Sequence, residues 1–268
     1  MPTVLNVRRR ARPALRTACL AAALAAALPA YAELTNGGLI GPGARWRPAY
    51  DGSSSQRLEA VPVLRYFGQP WFARSTQGVL EGGARMELAP GLYLGAQLAY
   101  EPGRKARESA LLRNRSGFDI DRGASIGAQL EWDHKFGRVP ITLLARARQH
   151  TDTDRGAQAD LRLSVGIFEH GRVSAGVFGQ AIWASDKSMQ SLYGITPQQS
   201  AAGGLPAYQA GGGLLASSGG LLWSVDLTQS WALVGSVEAR HLHGDAAGSP
   251  LAERSWNHYI SAGVAHRF

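Results

Sequence analysis

The sequence predicts an all-β fold: a transmembrane antiparallel up-and-down β-barrel of twelve strands, with ten strands as the alternative. Three observations predict it. Segments of alternating apolar and polar residues follow one another along the chain, and this two-residue period is that of a β-strand. Short turns rich in Gly and Pro alternate with longer polar connections, as in barrels that cross a membrane. No run of about 18 apolar residues follows the amino terminus, so a closed barrel is the spanning structure that remains.

The amino terminus has the three parts of a signal peptide. Five arginines precede an apolar segment at residues 18–28, and Pro29-Ala30-Tyr31-Ala32 supplies the small residues of a cleavage site. We expect cleavage after Ala32, so that Glu33 begins the mature protein. The predicted organisation is therefore a signal peptide over residues 1–32 and a single barrel domain over residues 33–268.

Loss of the signal peptide changes the composition. Cys19 lies within it, so the mature protein is expected to have no cysteine and no disulfide framework. The whole chain carries 28 Lys and Arg against 20 Asp and Glu, a formal net charge of +8. Removal of the five arginines lowers the basic count to 23 and the net charge to +3. Nucleic acid is therefore not predicted as a partner.

The alternation predicts where each strand begins and ends. An even number of strands returns both chain ends to the periplasmic side, as outer-membrane barrels require. The ten-strand alternative arises in residues 71–88, where an outer turn near residues 75–77 is inferred from the alternation alone. The predicted strands are residues 36–48, 58–67, 71–76, 79–88, 92–101, 121–135, 141–149, 157–168, 172–184, 210–227, 231–243 and 256–268.

A dry sandwich of two sheets would show the same alternation. Aromatic residues recur near the predicted strand ends, however, as they do in the two aromatic girdles of a membrane barrel. Their placement favours the barrel over a periplasmic sandwich. These residues are Trp71, Phe72, Trp132, Phe136, Trp183, Trp231 and Trp256.

Charged residues share the polar face of the predicted strands, which indicates that they point into the lumen. One hypothesis is a lumen that binds or passes small anionic solutes. The other is a set of paired charges that fills the barrel, which the small bore of twelve strands favours. The candidate lumen residues are Glu81, Arg85, Glu87, Glu131, Asp133, Arg146, Arg148, Asp160, Arg162, Glu238 and Arg240, and Arg267 shares their face.

Three polar clusters resemble reactive sites, but none predicts a catalytic, cofactor or metal site. Ser125 lies in a G-x-S-x-G pattern without the strand-to-helix turn that would expose a nucleophile. His150 with Asp152 and Asp154 offers too few oxygen ligands for a cation site. His241 and His243 face the same side of one strand, and a zinc site usually needs three or four ligands.

The last predicted strand looks like the closing strand of a bacterial outer-membrane barrel. Trp256, Ile260, Val264 and Phe268 share one face, and a terminal Phe is typical of such proteins. This strand is expected to pair with residues 36–48 and to engage the barrel-assembly machinery. His266 departs from the aromatic or aliphatic residue that many such proteins carry there.

Two long connections carry motifs of a known family. Residues 189–214 and 242–251 resemble the loop motifs of the MipA/OmpV family of outer-membrane proteins, and residues 38–53 resemble its opening segment. Thr196 followed by Pro197 also predicts the start of a short helix, in a segment that is either a lid or a contact surface. The residues that carry the resemblance are Tyr193, Gly194, Thr196, Pro197, Leu205, Pro206, Tyr208, Gly244, Asp245, Ser249 and Pro250.

The resemblance implies a non-enzymatic barrel in the outer membrane of a Gram-negative bacterium, in contact with lipid and lipopolysaccharide. It also implies a scaffold that links a lytic murein transglycosylase to a penicillin-binding synthase, while other members are described as adhesins or porin-like proteins. A small-solute channel and a surface adhesin are therefore the alternatives. The scaffold hypothesis meets one difficulty, because the turns expected on the periplasmic side have only a few residues.

Overall fold

The structure is a computed structural model and describes residues 38–268. The predicted signal peptide, its cleavage site between Ala32 and Glu33, and the first two residues of the first predicted strand lie outside the described residues.

The described residues form twelve antiparallel strands that close into one up-and-down barrel, and the predicted fold class is confirmed. The alternative of ten strands is wrong. Each strand end lies within three residues of its predicted position. The strands are β1 Leu39–Pro48, β2 Gln56–Phe67, β3 Trp71–Thr76, β4 Val79–Ala89, β5 Leu92–Glu101, β6 Gly123–Phe136, β7 Val139–His150, β8 Ala157–His170, β9 Val173–Ala184, β10 Gly213–Asp226, β11 Trp231–Leu242 and β12 Trp256–Arg267.

The barrel closes between β1 and β12, as predicted. Leu39 pairs with Arg267 and Trp46 pairs with Ile260, which fixes the register of this closure. Gly38 and Phe268 exchange backbone hydrogen bonds of 3.1 and 3.0 Å just beyond the two strands.

His266 has a partner on the neighbouring strand. Its ring packs against Trp231 of β11, with 5.1 Å between the ring centroids and 78° between the ring planes. The histidine thus fills an aromatic position of the outer wall in an edge-to-face pair.

The outer surface of the barrel is apolar. Leu, Ile, Val and Met side chains of alternate strand positions are exposed around the wall, as in a barrel that faces lipid. Large aromatic residues are exposed near both ends, with Trp71, Phe136 and Trp231 at one end and Trp183 and Trp256 at the other. No helix in residues 38–268 is long and apolar enough to cross a membrane.

The two ends of the barrel differ in their connections. At the short-turn end the connections are residues 68–70, 90–91, 137–138, 171–172 and 227–230. At the other end they are residues 49–55, 102–122, 151–156, 185–212 and 243–255, together with a two-residue turn between β3 and β4. This hairpin is the exception to the alternation of short and long connections, and its two-residue turn agrees with the predicted strands 71–76 and 79–88.

Most of the long connections fold over their end of the barrel, and we call residues 49–55, 102–122, 185–212 and 243–255 the lid. The lid contains helices α1 Asp186–Tyr193, α2 Pro197–Gly203 and α3 Gly244–Gly248. Thr196 caps α2 in a reciprocal capping box with Gln199, so the predicted helix start is confirmed. The apolar core of the lid consists of two clusters. One surrounds Met189 and Leu242. The other contains Leu112, Phe118, Ile195 and Leu251.

Candidate functional site

Charged and amide side chains from the inward faces of the strands form a continuous layer across the middle of the lumen. We call this layer the belt, and most of its charged members pair with one another because an isolated buried charge is costly. The belt consists of Arg45, Arg74, Glu81, Arg85, Gln129, Glu131, Arg146, Arg148, Asp160, Arg162, Gln180, Glu238 and Arg240.

Glu81 of β4 is the centre of the belt. Its carboxylate, in a residue only 2% exposed, lies 2.9 Å from Arg74 Nε, 2.6 Å from Arg146 Nη1 and 3.7 Å from Arg148 Nη1. Guanidinium groups of β3 and β7 thus meet on one carboxylate. This cluster connects strands that are not neighbours in the wall.

The other carboxylates of the belt extend the network from Glu81. Arg74 donates to Gln129 Oε1 at 2.7 Å and to Glu131 Oε2 at 2.9 Å. Arg146 donates to Asp160 at 2.9 Å. Each of these guanidinium groups therefore bridges at least two acceptors, which holds the inward side chains in one arrangement.

The turn between β3 and β4 enters the lumen. Gln77 Nε2 donates to Glu238 Oε1 of β11 at 3.1 Å, and Arg45 of β1 donates to the Gln77 carbonyl oxygen. Gln77 and Gly78 both have positive φ, 52° and 83°, as a two-residue hairpin turn requires. The turn predicted near residues 75–77 thus lies at Gln77–Gly78, and it lies inside the barrel instead of among the outer connections.

The lid is bonded to the belt through Asp51. Arg240 Nη1 donates to Asp51 Oδ2 at 2.6 Å, and the Tyr259 hydroxyl donates to the same carboxylate. Burial alone would raise the pKa of Asp51, but Arg240, the Tyr259 hydrogen bond and Arg45 outweigh it and lower this pKa below its ordinary value. Asp51 is therefore ionised and held at neutral pH.

The residues of the two family motifs contact one another within the lid. Ser249 Oγ donates to the Tyr193 carbonyl at 2.6 Å, and the Tyr193 hydroxyl donates to the Asp51 carbonyl at 3.3 Å. The Tyr208 hydroxyl donates to the Asp245 carbonyl at 3.0 Å. The motifs thus join the long connections to each other. Gly194, Thr196, Pro197, Leu205, Pro206, Gly244 and Pro250 lie in the same connections.

A cavity of about 780 Å³ occupies the lumen between the belt and the short-turn end, and we call it the vestibule. Its wall combines apolar and polar side chains, and residues of two short turns and of neighbouring strand ends line its rim, so it opens at that end. The walls include Val61, Val63, Leu144, Phe178, Leu222 and Val234, and the rim includes Gly91, Lys135, Gly171, Arg172, Asp226 and Arg267.

The candidate lumen residues from the sequence lie in or beside the belt, with one exception. Asp133 lies below the belt in the vestibule, where it accepts a hydrogen bond of 2.6 Å from Thr142. Glu87 lies apart, exposed at the β4–β5 turn, where it accepts a hydrogen bond of 3.0 Å from the Gly91 amide. The remaining residues, Glu81, Arg85, Glu131, Arg146, Arg148, Asp160, Arg162, Glu238 and Arg240, belong to the belt.

Arg45, Arg74 and Asp51 are not among the residues predicted from the sequence. The alternation in β1 and β3 places Arg45 and Arg74 on the inward face, so this signal was present. Asp51 lies in a connection, where no period indicates the direction of a side chain.

The structure brings Ser125, His150 and Glu101 close together, but without the hydrogen bonds of a catalytic triad. Ser125 Oγ donates directly to Glu101 Oε1 at 3.0 Å, and His150 Nδ1 accepts from the Asp152 amide at 3.0 Å. Within the described chain no hydrogen bond joins His150 to Ser125. A nucleophilic serine needs a base that accepts its proton and a third group that orients the base.

The other histidine pair does not form a metal site in the described residues. The rings of His241 and His243 pack with 4.7 Å between centroids, and His243 Nε2 lies 2.8 Å from Ser217 Oγ. Among residues 38–268, no group of three or more His, Cys, Asp or Glu side chains is placed to hold a metal ion.

Comparison with known proteins gives one match that covers almost all of the described chain. The family model described as "MltA-interacting protein MipA" matches residues 40–268. No curated protein sequence matches the chain.

Similar solved structures include three bacterial barrels. The COG4313 outer membrane channel from Pseudomonas putida F1 is 11% identical over 88% of this chain and 97% of that one, with a TM-score of 0.44. The NanC porin is 10% identical over 86% and 100%, with a TM-score of 0.46. LpxR from Salmonella typhimurium is 9% identical over 85% and 99%, also with a TM-score of 0.46.

Proposed function

Because this chain belongs to the MipA family, the family of the MltA-interacting protein, we propose that it is an outer-membrane barrel that anchors a lytic murein transglycosylase. The anchored enzyme would in turn meet a penicillin-binding synthase on the periplasmic side. The apolar outer wall with aromatic residues at both ends supports a position in lipid and lipopolysaccharide. Insertion would proceed through the barrel-assembly machinery, which would recognise the closing strand β12.

The vestibule is the observation that carries this proposal. In outer-membrane barrels the short turns face the periplasm, so the vestibule would open toward periplasmic proteins while the lid faces outward. Short turns alone would give a partner little surface to hold. A cavity with a rim of both charge signs, including Arg172 and Asp226, offers a partner a recessed and polar-edged surface.

Site-specific photo-crosslinking in intact cells tests the anchoring role. A photoreactive amino acid replaces Arg172 at the vestibule rim, and a second variant carries it at Ala201, which is exposed on α2 of the lid. We expect the Arg172 variant to capture a murein transglycosylase and the Ala201 variant to capture none. Capture from Ala201 alone, or from neither position, would contradict the anchoring role.

The two alternatives receive different support. A channel for small solutes needs a continuous bore, and the belt and the lid both lie across it. An adhesin would use exposed lid residues such as those of α2, and a partner captured from outside the cell at Ala201 would favour it. Ser125 donates its hydrogen bond to Glu101, and in the described residues none joins it to His150, so no serine–histidine pair supports a hydrolytic reaction.

A further inference from the structure

Arg162 of β8 is a buried cation at the floor of the vestibule, where the cavity meets the belt. It is 8% exposed and lines the cavity. Its Nη1 donates a long hydrogen bond of 3.4 Å to Gln180 Oε1, and its guanidinium lies 3.8 Å from the centroid of the Phe178 ring. Within residues 38–268, no carboxylate oxygen lies within ion-pair distance of Arg162.

The acidic groups nearest to Arg162 are already engaged by other residues. Asp160 accepts from Arg146 and, at 3.0 Å, from Gln180. Glu238 accepts from Arg240 and from Gln77. Arg162 therefore lines the vestibule with N–H donors that form no ion pair with a carboxylate of the described chain. A guanidinium in this position is suited to a carboxylate or phosphate that enters from the cavity.

The rest of the vestibule suits an apolar body. Its volume of about 780 Å³ is that of a small-molecule pocket, and aliphatic and aromatic side chains form part of its wall, beside charged and polar ones. The cavity thus combines, at its floor, a cation that has no ion-paired carboxylate in the described residues with apolar side chains in its wall. Such a combination fits a molecule with an anionic head and a hydrocarbon body. This inference does not depend on which protein binds the rim of the vestibule.

The wall of the vestibule is incomplete on one side, between β2 and the β3–β4 hairpin. In the described chain β2 pairs with β3 only over Arg65–Phe67, because the hairpin turns inward toward Glu238. Leu64 N then donates to Ser75 Oγ, and Pro62, two residues farther along, has no backbone N–H to pair. We call the gap between the hairpin and the β2 residues that precede Arg65 the seam.

The seam connects the vestibule to the outer surface. Five consecutive residues of β2, 61–65, line the cavity, so both faces of the strand contribute to it there. Leu80 also lines the cavity, although it is 40% exposed on the outside of the barrel. An unpaired sheet edge does not persist in lipid, so the free backbone groups of the seam need water from the vestibule as hydrogen-bond partners.

We propose that the vestibule binds an anionic amphiphile, with its carboxylate or phosphate on Arg162 and its single acyl chain passing through the seam to the outer surface. The headgroup takes the donors that no carboxylate of the described chain uses. Free fatty acids and lysophospholipids both have this chemistry.

Native mass spectrometry of the purified barrel tests the proposal with four probes of matched chain or charge. Oleate and 1-oleoyl-lysophosphatidylglycerol carry the two candidate headgroups, oleyl alcohol has the chain without the charge, and octanoate has the charge on a short chain. We expect either or both of the anionic oleoyl probes to bind at least tenfold more tightly than oleyl alcohol and octanoate. Binding of oleate alone assigns a carboxylate, and binding of the lysophospholipid alone assigns a phosphate.

Two lumen variants identify the site. Arg162→Gln is expected to weaken binding of the preferred anionic probe at least tenfold and to leave oleyl alcohol unchanged. Arg148→Gln is the control, because Arg148 is also an inward arginine but does not line the vestibule. Heat-modifiable migration on gels verifies that each variant is a folded barrel. Equal binding of oleate and oleyl alcohol, or an equal loss in both variants, would overturn the proposal.

Discussion

Arg240 of β11 donates a hydrogen bond of 2.6 Å to the carboxylate of Asp51, which lies in the first connection of the lid. This ion pair joins the covering of the barrel to its interior. The lid is thus held by the charges of the lumen as well as by its own apolar core.

Replacement of Asp51 by Asn is expected to loosen the lid. The variant keeps the size of the side chain but leaves Arg240 without one of its carboxylates. Loss of a charged hydrogen bond predicts a decrease of about 2 kcal/mol in the free energy of unfolding. Urea unfolding and limited proteolysis within the lid measure the effect. Asp121→Asn is the control, since Asp121 is exposed in the same lid and pairs with Lys105 at the surface, and an equal effect there would contradict the prediction.

Acid is expected to open the lid through the same residue. The pKa of Asp51 is lowered in the folded protein, so its stabilising effect is complete above the ordinary value of 3.8 and is lost as the pH falls through the lower folded pKa. Proteolysis of the lid by an acid-active protease should therefore increase below about pH 4. Asp51→Asn should show a smaller dependence on pH. If both proteins respond equally to acid, another group is responsible.

Glu81→Gln is expected to destabilise the barrel strongly. Glu81 accepts from guanidinium groups of β3 and β7, and neutralisation leaves buried cations without their partner. Removal of one member of a buried ion pair costs about 3–5 kcal/mol. Chemical unfolding measures this loss. Glu87→Gln on the same strand is the matched control, because Glu87 is exposed, and it should change stability by less than about 0.5 kcal/mol.

The barrel is expected not to conduct ions steadily. The belt crosses the lumen and the lid covers one end, so both are expected to hinder the passage of ions. Planar-bilayer recording of the wild type should give no sustained current under conditions in which an open porin conducts. Removal of both guanidinium groups in Arg146→Ala with Arg148→Ala should not by itself create one, since the lid remains. A sustained wild-type current would favour the channel hypothesis.

The strands were predictable because each one has an apolar face and a polar face, and the period of two is visible without knowledge of partners. In β5, for example, Leu94 and Leu98 face outward and Gln97 faces inward. The same alternation identified Arg162 as an inward residue. It could not show that Arg162 lacks an ion-pair partner, because partners are set by the register of strands that are distant in sequence.

The inward turn of the β3–β4 hairpin was not predictable either. Alternation tells which side of a strand a residue occupies but not whether the strand leaves the wall. Gln77 meets Arg45 and Glu238 because the hairpin bends, and nothing in residues 71–89 alone indicates this bend. For residues 185–209 the sequence predicted either a lid or a contact surface. It could not decide between them, because the packing of this segment depends on the other long connections.

The contacts of the inward hairpin inside the barrel also depend on closure of the barrel wall. Gln77 contacts β1 and β11, and these are the two strands that flank β12. The first strand meets the end of the chain only when the ring closes. A chain whose ends had not met would leave Gln77 with only one of its two contacts in place, so the final arrangement of the interior and the final joining of the circumference depend on the same event.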